Sequence, residues 1–121
     1  MKEYMLIFRH EDGGKTASPE QLQQWMQQTM DWLNGLAASG NFEGKGNGLY
    51  FDDARVVHHD KTVTNGPFGE IKETLGGYVV IKASDGDEAA EFAKGCPVLQ
   101  GEGNTVEVRL IAREDDVTQG K

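Results

Sequence analysis

Apolar and polar positions define a first strand over residues 2 to 9, where Tyr4, Leu6 and Phe8 point one way and Met5 and Ile7 the other, so both faces are apolar. A polar, Gly-containing loop at 11–17 leads to Ser18-Pro19-Glu20-Gln21, which supplies an N-cap, a proline at the first helical position and a capping-box partner. The period then becomes helical. Leu22, Trp25, Met26, Thr29, Leu33, Leu36 and Ala37 recur on one side, Met30 and Trp32 widen the stripe, and most glutamines face outward. This pattern predicts a helix of about five turns lying on a sheet. Gly40 is placed to cap its C-terminus, and Gly35 inside the last turns costs up to ~1 kcal/mol relative to alanine.

Residues 41–53 are rich in Gly and Asn and show little periodicity, apart from a candidate short strand at Leu49-Tyr50-Phe51. Arg55 to His58 and Lys61 to Thr64 read as two strands joined around His59-Asp60, a hairpin that delivers the chain to Asn65-Gly66-Pro67-Phe68. There Asn-Gly makes a positive φ cheap, while Pro67 removes a donor and holds its own φ, so the chain must turn and Phe68 sits on a rigid corner. Thr74 to Ala83 is the next strand, with Tyr78 and Val80 alternating with Val79 and Ile81. Ser84 or Asp85 caps a second helix through Ala93, which packs through Ala89, Ala90, Phe92 and Ala93 and ends at Gly95 and Pro97. The last strand, Thr105 to Ala112, puts Val106, Val108 and Leu110 on one face and Glu107 and Arg109 on the other, a pattern suited to a sheet edge.

The resulting order, β-α-β-β-α-β, is that of an α+β, ferredoxin-like fold: an antiparallel sheet with its first and third core strands in the centre and its helices on one face. Those two strands carry apolar residues on both sides. Met5, Ile7, Val79 and Ile81, or the opposite set, therefore need cover that the helices do not supply. A second copy of the chain is the simplest cover, and a homodimer is expected.

At 121 residues the chain is one domain, expected to span 1–112 with an acidic, mobile tail at 113–121. A formal net charge of −8, with the basic residues scattered, argues against nucleic acid as a partner. No apolar run approaches the roughly 20 residues that span a bilayer, and the opening Met-Lys-Glu-Tyr-Met lacks the layout of a secretory signal, so no membrane partner and a cytoplasmic location are expected. The single cysteine, Cys96, cannot form an internal disulfide.

Candidate chemistry is sparse. His10, beside Arg9, sits where a histidine can move protons near neutral pH, and Glu70 and Glu73 are the other candidate catalytic groups. Arg9, His10, Phe68, Lys72 and Tyr78, with Trp25 or Trp32, would line a pocket for a small anionic or partly aromatic molecule. His58-His59-Asp60 has the residue types of a metal site, but adjacent strand side chains point to opposite faces, so no metal is expected there. Cys96 follows a helix C-terminus, where the dipole disfavours a thiolate, and reads as structural. The Gly-rich pieces 44–48 and 101–103 do not form a strand-to-helix phosphate loop, and no cofactor is expected.

The turn at Asn65 to Phe68 resembles the Asp-Gly-Pro-Phe motif of the YCII-related, or DGPF-domain, family, with Asn in place of the usual Asp. Glu70, Lys72, Glu73, Gly76, Gly77 and Tyr78 are similar to the segment that follows it, and Gly95-Cys96-Pro97 and Val106-Glu107-Val108-Arg109 to later landmarks. The resemblance spans nearly the whole chain and implies a ferredoxin-like domain that pairs into a dimeric α/β barrel, with activity undefined for most members. It implies a small dimeric protein with a small-molecule cleft, and the fusion of some relatives to sigma factors implies a regulatory role. The alternative it carries is a cofactor-independent enzyme, lyase or oxygenase-like, acting on a small hydroxylated or aromatic compound. Better-known relatives have a His and Asp pair proposed as acid and base. Here the corresponding helix position falls near Thr29, residues 18–40 contain no histidine, and Asn65 removes a carboxylate from the signature turn.

Overall fold

The computed structural model describes residues 1–11, 18–49, 53–64 and 74–113. In chain order the elements are β1 (Lys2–His10), α1 (Pro19–Ala38), β2 (Phe42–Gly48), β3 (Val56–Val57), β4 (Val63–Thr64), β5 (Thr74–Ala83), α2 (Gly86–Ala93), a 3-10 turn (Pro97–Gln100) and β6 (Thr105–Leu110). Four strands form an antiparallel sheet in the order β2-β5-β1-β6, and β3 and β4 pair separately. The fold is α+β and ferredoxin-like. β6, whose alternation over Thr105 to Ala112 suits an edge, is an edge strand, and β1 and β5 lie in the centre.

Both helices start as their sequences direct. The Ser18 hydroxyl accepts the Gln21 N–H at 3.1 Å, and the Asp85 carboxylate accepts the Glu88 N–H at 2.8 Å. At the far end of α1, Gly40 takes φ +82° while Asn41 N–H donates to Leu36 O and Gly40 N–H to Ala37 O, a Schellman closure. Asn41 then does something its sequence position does not announce. Buried, it donates from Nδ2 to Lys82 O at 2.7 Å and accepts from the Ser39 hydroxyl at 2.6 Å, which ties the end of α1 to β5.

The core lies between the helices and one sheet face. Tyr4 and Leu6 of β1 and Val79, Ile81 and Ala83 of β5 are buried against Leu36, Ala89 and Ala93, and Phe8, Val106 and Val108 complete the layer. Leu6 and Ile81 are 0 % exposed, and each contributes on the order of 2 kcal/mol by burial.

Three expectations need correction. The sheet's outer strand β2 is Phe42–Gly48, inside the stretch without periodicity, because its residues are held by backbone pairing across a bulge between Phe42 and Gly46 and not by an apolar stripe. The hairpin strands shorten to Val56–Val57 and Val63–Thr64, and stand apart from the main sheet. Leu49 N–H still bonds Gly76 O beyond the end of β2, while Tyr50 and Phe51 lie outside the described residues. Finally, the partition of faces changes: Ile81 pairs with Tyr4 and Val79 with Leu6, whereas Val80 pairs with Met5 and Tyr78 with Ile7. The uncovered set is therefore Met5, Ile7, Tyr78 and Val80. Parity within one strand is visible in a sequence, but parity between strands depends on register, which only pairing defines.

The stripe of α1 is narrower than its pattern. Leu36 is buried and Trp25, Thr29, Trp32 and Leu33 are half-buried, but Met26 and Met30 are 69 % and 54 % exposed and Leu22 is exposed too.

Candidate functional site

Among the described residues, the sheet face away from the helices gathers polar side chains around an apolar floor. Register aligns Asn47, Tyr78, Ile7 and Glu107 in one row across all four strands, with Val80, Met5 and Arg109 in the next. At the β6 edge, Glu107 sits between two arginines. Arg9 donates from both Nε and Nη2 to Oε1, each at 3.0 Å, and Arg109 donates from Nη1 to Oε2 at 2.9 Å. Arg109 first and Arg9 second hold the Glu107 carboxyl below the usual carboxylate range. At the other edge the Asn47 amide donates to the Tyr78 hydroxyl at 3.3 Å. Glu3–Lys45 at 3.2 Å and Glu43–Lys82 at 2.9 Å form the remaining rim, and the Lys82 ammonium lowers the Glu43 pKa.

The expected pocket residues divide between two sides of the sheet. Arg9 and Tyr78 share the open face. The His10 ring packs against Gly76 so closely that a side chain there would collide with it. Trp32 and Trp25, on α1, lie on the helix side in structural roles. Trp32 meets Phe8 edge-on, with ring centroids 6.3 Å apart, and donates from Nε1 to Phe92 O at 3.1 Å, and Trp25 Nε1 donates to Gln100 at 3.2 Å. Phe68, Glu70, Lys72 and Glu73, together with the Asn65 turn, lie outside the described residues, as does the tail from 114.

The histidine cluster is a turn. His58 Nε2 bonds Thr64 Oγ1 at 2.9 Å, and the Asp60 carboxylate accepts from the Thr62 N–H and hydroxyl, which lowers its pKa. Among the described residues no three His, Cys, Asp or Glu side chains gather as metal ligands, and no helix is long and apolar enough to cross a membrane. Cys96 is buried, and that burial pushes its thiol up to about 11.

With the sheet order, the helix pairing and the Arg-flanked Glu107 in place, the family profile of the YCII-related domain matches residues 3–114. The chain belongs to the YCII-related family. No curated protein matches it. Within this YCII-related domain, sequence reasoning put Glu107 and Arg109 on one strand face but did not join them to Arg9, and it missed Asn47. The available signal was the alternation in Val106-Glu107-Val108-Arg109. What it lacked was the adjacency of β6 to β1.

Proposed function

We propose that this YCII-related protein is a homodimeric binding protein: two copies face each other across their open sheet faces and enclose a small molecule between them. The observation that carries the reading is the half-buried apolar centre of Met5, Ile7, Tyr78 and Val80, rimmed by ion pairs on the side that α1 and α2 leave open. An apolar centre with a polar rim is the anatomy of a protein interface. A regulatory, accessory role follows if occupancy alters pairing. Sedimentation velocity at micromolar concentration tests it: a dimer is expected, and a monomer throughout that range overturns the reading.

A further inference from the structure

We propose that the open face seats a small monocarboxylate with a flat apolar body, its acid group held by Arg109, its body on Ile7 and its far, polar end at the Tyr78–Asn47 pair. The proposal deepens and rests on the paired-face reading, because one flat sheet face buries too little of a ligand to hold it.

Charge points to an anion. The chain as a whole carries a net charge of −8, yet in the ion pairs that the described residues make on this face Arg9, Arg109, Lys45 and Lys82 outnumber Glu3, Glu43 and Glu107. The lysines are matched one to one with carboxylates, so the surplus lies where two arginines share Glu107. Arg9 spends Nε and Nη2 on Glu107, whereas Arg109 spends only Nη1 among the described residues and is exposed. A guanidinium has five N–H donors in a planar fork, and the unused side of Arg109 suits a second carboxylate. Within these ion pairs one positive charge is in surplus, which matches a monoanion better than a dianion.

Distance and chemistry define the remainder. From Glu107 to Tyr78 the row crosses two strand spacings, roughly 10 Å, the span of a one-ring acid with its hydrogen bonds. Ile7 lies between them as an apolar floor. The Tyr78 hydroxyl accepts from Asn47 and retains its own hydrogen, so it can donate to an acceptor at the ligand's far end.

Methyl NMR on Met5 and Ile7, run beside sedimentation, tests the site with benzoate, 4-hydroxybenzoate and the uncharged analogue benzamide. The acids are expected to shift both methyl signals and to bind about tenfold or more tighter than benzamide. Arg109→Gln is expected to remove that preference while the dimer persists, and Tyr78→Phe to remove the advantage of 4-hydroxybenzoate over benzoate. A dimer that binds none of the acids, binds benzamide equally well, or keeps its preference in Arg109→Gln overturns the carboxylate site and leaves the dimer reading standing. A monomer overturns both.

Discussion

At the residue scale, two glycines of this chain should respond to the same change with opposite sign. Gly46 has φ +150°, and an added Cβ would lie 2.5 Å from Tyr78 O and 2.7 Å from the Val79 Cα, both backbone atoms of the paired strand. Gly46→Ala should therefore cost roughly 3 kcal/mol in urea unfolding. Gly35 is helical and has nothing within 4 Å of that position, so Gly35→Ala should stabilise by up to ~1 kcal/mol. The cost at Gly35 follows from sequence alone, while the constraint at Gly46 comes from a strand over thirty positions away. Cys96 is a second residue whose behaviour depends on surroundings. Burial raises its thiol from 9.0 to about 11, so the fold favours the protonated form. That contribution is complete below pH 9.0 and is lost as pH rises toward about 11, on the order of 2–3 kcal/mol. The stability difference between the native chain and Cys96→Ala should shrink across that window, and a constant difference would refute it. Glu107 has the opposite sign: with its pKa depressed by Arg109 and Arg9, its contribution is present at neutral pH and is lost only as pH falls below the usual carboxylate range.

At the element scale, legibility followed the presence of a local cause. Ser18, Pro19 and Gly40 specify the ends of α1 through their own backbone and side-chain chemistry, and the structure places both ends there. Strand β2 has no comparable local signal, because Gly44, Gly46 and Gly48 bury no side chains and the segment is a strand only by pairing with β5. The exposed Met26 and Met30 show the complementary failure: helical spacing makes a stripe wider than the strip of sheet available to receive it. Trp32 links α1 to α2 through its bond to Phe92 O. Trp32→Phe, which keeps a ring against Phe8 and loses the bond to Phe92 O, should cost about 1 kcal/mol, and Trp32→Ala about 3 kcal/mol. Urea melts that gave equal losses for the two variants would show that the hydrogen bond, and not the ring, carries the contact.

At the scale of the whole molecule, the proposed pairing rests on the open face. Ile7 lies at its centre, with Tyr78 on one side and Glu107 on the other. If two copies close over it, Ile7→Glu places a carboxylate in a desolvated position and should weaken association by about a hundredfold or more, read by sedimentation equilibrium. The monomer fold should survive, since Ile7 points away from the core formed by Tyr4 and Leu6. The sequence by itself determined the strands with double-sided apolar faces, the caps, the ferredoxin-like order and the family, because each is written in local periodicity, local backbone chemistry or ordered motifs. Only the tertiary structure decided that Val80 and Tyr78, and not Val79 and Ile81, join Met5 and Ile7, that β2 lies among the glycines, and that Arg9, Glu107 and Arg109 meet. The physical reason is common to all three. Pairing register and strand adjacency are relations between distant segments, and a shift of one residue would send every side chain to the other face.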